Sequence, residues 1–200
     1  GYRGTLSRDA VTIPEVLKTA GYRTSMVGKW HIAETPLRQD QRDWLNHQVE
    51  HDTFSDLCHY PVNRGFDTHY GTIYGVVDYF DPFSLVEGEV PVKDIPEGYY
   101  ITDALSDRAA REIAASDNTP FFMYLAYTAP HWPLHALPED IAKDEDTYKV
   151  GWEAIRQARY ERMQELGIFG NSRDFLTDRQ FDSSWADNPT AEWDARAMAV

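Results

Sequence analysis

The chain has 200 residues, of which 42% are hydrophobic and 14% aromatic, enough for a packed core in one domain of ordinary size and too much for a disordered segment. Its 19 Lys and Arg against 33 Asp and Glu leave a net charge of -14, which repels phosphate backbones and anionic lipid and sets nucleic-acid and membrane partners aside. The longest apolar or aromatic run, residues 121–127, falls far short of the ~18 residues of a bilayer-spanning helix; there is no signal-peptide pattern at the start; and the single Cys58 rules out an internal disulfide or a thiolate metal cluster.

In chain order, the first expected element is a short amphipathic helix over residues 12–20. Thr12-Ile-Pro-Glu15 fits a capping box with Pro in the first turn, Ile13, Val16, Leu17 and Ala20 share a face, and Gly21 is the stop. Residues 22–27 have strand composition and end at Gly28. Residues 32–100 are rich in Asp, Gly, Pro and aromatics with weak periodicity and read as irregular, site-lining chain. The helix–strand order then recurs. Ile101, Leu105, Ala109 and Ile113 fall at four-residue steps in a helix over residues 101–116, and the apolar run 121–127 reads as a fully buried strand. A further helix is expected over residues 149–166, with Trp152, Ile155, Met163 and Leu166 on one side and Gly167 as its stop. A loop follows over residues 170–188, then a helix opening at Thr190 with Glu192 and Asp194 at its positive end. Helices alternating with buried strands imply an α/β fold with a mostly parallel sheet flanked by helices. The lack of an initiator Met and the unfinished last helix read as an internal excerpt of a longer protein.

In such a sheet ligands bind beyond the carboxyl ends of the strands. Gly28-Lys29-Trp30-His31 follows the first strand; if the chain stays extended there, Lys29 and His31 share one side and Trp30 enters the core. After the second strand, Pro130 and Pro133 bracket His131 and restrict its backbone. One ammonium and two imidazoles at neighbouring strand ends suit an anionic substrate whose leaving oxygen must be protonated.

Three segments occur in the order seen in the formylglycine-dependent sulfatases, of alkaline-phosphatase-like fold: Gly21-Tyr-Arg-Thr-Ser-Met-Val-Gly-Lys-Trp-His31, Arg64-Gly-Phe-Asp67, and Pro120-Phe-Phe-Met-Tyr-Leu-Ala-Tyr-Thr-Ala-Pro-His-Trp-Pro-Leu134. The chain resembles that family over residues 6–166, with all of 1–200 as part of one sulfatase catalytic domain. The resemblance implies that Lys29 contacts both the modified nucleophile and the sulfate. It implies further that His31 helps the nucleophile's hydroxyl eliminate sulfate and that His131 binds sulfate and protonates the leaving alcohol. It also implies a formylglycine made from Cys or Ser by a formylglycine-generating enzyme, a divalent cation, calcium, and a small-molecule or carbohydrate sulfate ester as substrate. The modification motif, Cys or Ser followed by x-Pro-x-Arg, is absent: Cys58 precedes His-Tyr-Pro-Val and reads as an ordinary cysteine. The family's Asp-Asp and Asp-Asn metal pairs and its later lysine have no match, and Ala33 stands where the family usually has Gly. On this reading the nucleophile lies before residue 1 and the later metal ligands after residue 200, so residues 1–200 alone are expected not to hydrolyse sulfate esters. A periplasmic or secreted location is favoured over a cytoplasmic one.

Other patterns yield less. His47 and His51 have a metal-compatible spacing but lack the Glu that zinc proteases place after the first His. Gly28-Lys29 is no phosphate loop, since Arg23 and Trp30 occupy the positions that need Gly and Ser or Thr. The acidic clusters Glu139-Asp140 and Asp144-Glu-Asp146 lack a glycine-punctuated calcium loop. Trp132, His135, Tyr70, Tyr74 and Tyr79 form either an apolar substrate rim or core. Two other functions stay open: a phosphomonoester, phosphodiester or phosphonate-ester hydrolase of the same superfamily, which Lys29, His31 and His131 do not distinguish from a sulfatase, and a non-catalytic carbohydrate-binding module.

Overall fold

Thr12 starts the first helix by a reciprocal bond: its hydroxyl accepts from the Glu15 N–H at 3.3 Å, and the Glu15 carboxylate accepts from the Thr12 N–H at 2.7 Å. In the computed structural model, which describes residues 4–34, 53–169 and 184–200, this helix is α1, Ile13–Thr19. It ends in a Schellman turn, with Gly21 at φ +79 and Tyr22 N–H reaching back to Leu17 O at 3.2 Å. The expected apolar face does not face the core. Ile13 is 65% and Val16 55% exposed, and Pro14 is the buried residue of α1. The stripe records which residues share a face; what covers that face is decided elsewhere in the fold.

Five strands form one sheet in the order β4-β3-β2-β1-β5, with β1 Arg23–Gly28, β2 Thr68–Thr72, β3 Leu85–Glu87, β4 Val90–Pro91 and β5 Phe121–Ala126. Strand β1 runs parallel to β2 and β5, and β3 and β4 continue the sheet as an antiparallel edge. The helix α2, Ile101–Ala114, lies between β4 and β5 in sequence and packs on β1 and β2. This is an α/β sheet with a parallel centre. Three of the strands come from the stretch expected to be irregular. They are short, and β2, Thr-His-Tyr-Gly-Thr, holds a glycine and a histidine where a strand pattern would show β-branched residues.

Alternation along β1 assigns the two faces. Met26 joins Trp30, Phe54, Tyr60, Phe66, Ile73 and Phe83 on one side, and Val27 joins Val77, Tyr79, Ile101, Leu105 and Ala109 on the other. Each such fully buried side chain contributes about 1.5–3 kcal/mol. The four-residue steps of α2 hold for Ile101, Leu105 and Ala109, while Ile113 is exposed. Strand β5 is not fully buried as expected. It pairs with β1 alone among the described strands, and Phe121, Tyr124 and Leu125 are exposed. An apolar run of strand length does not say whether both faces and both edges are covered.

Residues 1–135 and 136–200 form two compact units. The second holds α3 Pro138–Asp144, α4 Trp152–Glu165 and α5 Ala191–Ala199. The acidic clusters lie partly in α3, where Glu139 and Asp140 occupy the first turn. Helix α4 starts at Trp152 and not at residue 149, because Gly151 holds φ +90 against the Trp185 ring and breaks the helical path. It stops at Gly167 as expected, with Ile168 N–H bonded to Met163 O at 3.1 Å. Thr190 precedes α5 without capping it, since its hydroxyl is engaged by Asn188 and Asp194. His47 and His51 lie outside the described residues, as do residues 170–183 of the expected loop.

Candidate active site

Strand β1 has to end where it does. Gly28 holds φ +120, and a Cβ there would lie 1.9 Å from the Ala126 carbonyl oxygen of β5, so a side chain is excluded. The next three N–H groups then cross the sheet. Lys29 donates to Ala126 O on β5 at 2.8 Å, whereas Trp30 and His31 donate to Thr72 O and Ile73 O at the end of β2, at 2.9 and 3.0 Å. Trp30 anchors the crossing from the core side: its indole is buried, meets Phe66 edge-on at 6.2 Å and donates Nε1–H to His59 O at 2.7 Å.

The crossing makes the chain turn where extended backbone was expected. His31 sits at φ +59, a left-handed conformation that costs a non-glycine residue about 1–3 kcal/mol and is typical of functional positions. The turn seats its imidazole on Gly75, where a Cβ would come within 2.4–2.6 Å of the ring atoms. The same Gly75 accepts a hydrogen bond on its carbonyl from Lys29 Nζ at 3.2 Å. One residue thus holds both side chains, and sequence reasoning missed it. The available signal was a glycine ending the aromatic stretch Tyr70–Gly75, read only as loop composition.

His131 arrives from the end of β5. The buried Thr128 takes the His131 N–H on its carbonyl at 3.0 Å, and the peptide bonds before Pro130 and Pro133 are both cis. His131 Nδ1 lies 2.7 Å from the Trp132 carbonyl; a carbonyl only accepts, so Nδ1 carries the proton and Nε2 is the free nitrogen of the neutral ring. His31 lies close enough to Lys29 and His131 for both charges to act on it. The His31 pKa is lowered by partial burial of its ring, then by the positive charges of Lys29 and of His131. The arrangement offers a fixed cation, an imidazole held toward its neutral form and a second imidazole with one ring nitrogen turned free.

The other sequence candidates separate from this cluster. Arg64 is buried and donates to the carbonyls of Leu6, Ser7 and Ala10 at 3.4, 3.3 and 2.8 Å, and Asp67 accepts from Thr24 N–H at 2.8 Å and pairs with Lys18 at 2.6 Å. The Arg-Gly-Phe-Asp turn is therefore a clasp between α1 and β1. Tyr74 and Tyr79 are core residues, Tyr70 bonds the Tyr99 hydroxyl at 3.0 Å, and Trp132 is exposed beside His131 at 5.8 Å between ring centres. Cys58 lies half-buried in a 3-10 turn, its N–H bonded to Asp56. Among the described residues no three His, Cys, Asp or Glu side chains are placed to hold a metal ion. Neither an implied cation nor an implied formylglycine finds its own residues here.

A sulfatase family profile matches residues 2–190. The chain is 30% identical to an uncharacterized sulfatase of Schizosaccharomyces pombe, covering all of this chain and 36% of that protein. It is 28% identical to the arylsulfatase of Klebsiella aerogenes, covering 92% and 38% respectively. The chain thus spans less than two fifths of the length of these curated relatives. Among solved structures, Ps i-CgsB in complex with k-i-k-neocarrahexaose superposes with a TM-score of 0.53 at 32% identity, over 72% of this chain and 32% of that one.

Proposed function

Because the chain belongs to the sulfatase family, we propose that the protein containing it hydrolyses a sulfate monoester to an alcohol and inorganic sulfate, with Lys29, His31 and His131 as catalytic residues. The observation that carries this reading is the left-handed turn at His31, which seats its imidazole on Gly75, the residue whose carbonyl holds Lys29 Nζ, within range of the His131 charge. In the net reaction an oxygen of water becomes bonded to sulfur and gives up a proton, while the bond between sulfur and the ester oxygen breaks and that oxygen leaves with the bonding pair. Lys29 neutralises charge on the sulfate oxygens, and the protonated His131 delivers its Nε2 proton to the departing oxygen. His31, held toward the neutral form, accepts the proton released on the attacking side. Two imidazoles with different environments thereby divide the acid and base roles.

The reading brings with it a formylglycine nucleophile, a formylglycine-generating enzyme as partner, and a calcium ion that would polarise the sulfate. The described residues do not fit either group, so no step is assigned through them. The complex of Ps i-CgsB with a neocarrahexaose supports a carbohydrate ester as substrate class. A periplasmic or secreted location completes the proposal.

The test is steady-state hydrolysis of p-nitrophenyl sulfate and p-nitrophenyl phosphate by the intact protein. Sulfate turnover should dominate; Lys29→Ala should lower kcat/KM on p-nitrophenyl sulfate by about 10²–10⁴, and His131→Ala should do so on an alkyl sulfate, whose departing oxygen needs the proton. Preference for the phosphate ester, or full activity in both variants, would overturn the assignment.

A further inference from the structure

Tyr79 is a core residue that reaches out of the core at two points. Its ring packs with Val27 of β1 and with Ile101 and Leu105 of α2, and its carbonyl accepts the Ile101 N–H at 2.9 Å. Its hydroxyl donates to the His131 carbonyl at 2.8 Å, and its N–H donates to His135 Nδ1 at 3.3 Å. The His135 ring stands edge-on to the Tyr79 ring, with centres 5.7 Å apart. His131 and His135 bound the turn that follows β5; His131 N–H also bonds Thr128 O within the turn, and His135 also meets a long Tyr100 hydroxyl contact to its carbonyl at 3.5 Å, Asp78 Oδ1 at 3.7 Å from its Nδ1 and the Phe80 ring at 5.6 Å between centres. The outer edge of β5 has no strand partner among the described residues. Tyr79 ties the turn back to the buried centre of the sheet.

We infer that Tyr79 is the positioning residue for the acid His131: its hydroxyl fixes the His131 carbonyl, and with it the direction in which the Nε2–H of that imidazole points. The inference rests on the proposed role of His131 as proton donor. The geometry is self-consistent, because the Trp132 carbonyl fixes the ring by Nδ1 while the Tyr79 hydroxyl fixes the backbone that carries it. A proton donor must sit within a few tenths of an ångström of its acceptor line, and a 1 Å displacement costs on the order of 10²-fold in rate.

Tyr79→Phe keeps the buried ring and removes only the hydroxyl. A general fault would slow all substrates alike, whereas a misdirected acid penalises only leaving groups that need a proton. Expected is a loss in kcat of at least about tenfold on an alkyl sulfate and less than about threefold on p-nitrophenyl sulfate, with KM unchanged. Equal losses on both substrates, or none, overturn the inference. Should Tyr79→Phe fold poorly, His135→Ala cuts the second, half-exposed tether; it should show the same leaving-group bias at smaller size, and equal losses count against the inference in the same way. A readout independent of turnover is the ¹⁵N shifts of the His131 ring. Tyr79→Phe should convert the single Nδ1–H tautomer to a mixture, and an unchanged spectrum overturns the inference even if the wild-type protein hydrolyses no sulfate ester, a result that would refute the proposed function separately.

Discussion

Gly75→Ala separates the proposed site from the stability of the fold. The backbone of Gly75 lies outside the left-handed region, so alanine suits it conformationally and any effect is steric. The added methyl would lie 2.4 Å from His31 Cε1 and 2.5 Å from Nδ1. Carbon atoms pack at about 3.5–4.0 Å, so the imidazole must retreat by roughly 1 Å or more. It has room to do so, because His31 is exposed on its other side, and the stability cost should stay near or below about 1–2 kcal/mol. Catalysis should respond far more strongly. A displacement of 1 Å costs about 10²-fold, and any accompanying shift of the Gly75 carbonyl also disturbs the 3.2 Å bond to Lys29. The assay pairs a urea unfolding curve with kcat/KM on p-nitrophenyl sulfate. A variant that keeps kcat/KM within about threefold while remaining folded would refute the argument that His31 works where Gly75 seats it.

Two further predictions concern the frame around the site. Arg64→Ala removes the donor to three carbonyls and the Glu15 partner at 3.6 Å, so unfolding free energy should fall by about 2–4 kcal/mol in denaturant while the folded fraction keeps its kcat; unchanged stability would contradict the clasp. His69 is buried, and burial, opposed by a bond to the Gly28 carbonyl, lowers its pKa from 6.5 to about 4. The unfolded chain therefore takes up this proton first: the contribution is complete above pH 6.5 and is lost as pH falls toward 4, amounting to about 2 kcal/mol between pH 7 and 5. His69→Phe should flatten that part of the pH–stability curve, and an identical slope in the variant would remove His69 as its source.

The elements that local chemistry controls were legible. The Thr12–Glu15 capping box and the Gly21 and Gly167 stops act through neighbours in the chain, and they stand where the residue pattern puts them. The four-residue apolar steps of α2 and the strand Arg23–Gly28 were readable for the same reason. Strands β2, β3 and β4 were not, because their stability comes from cross-strand partners distant in sequence and their composition is that of a loop. The shared apolar face of α1 was legible and the run in β5 was read as fully buried, yet burial depends on what covers them.

At the proposed site, the sequence by itself determined the candidates, an ammonium and two imidazoles just beyond strands, because residue type carries donor capacity and charge. Their placement at adjacent strand ends was decided by the parallel register of β1 with β5, Gly28 opposite Ala126, which brings together segments about a hundred positions apart. Only the tertiary structure supplied the left-handed turn at His31, the bare Cα of Gly75 beneath its ring and the Tyr79 hydroxyl behind His131. Direction and distance are properties of packed neighbours, and those neighbours are brought together by the sheet and the two cores on its faces.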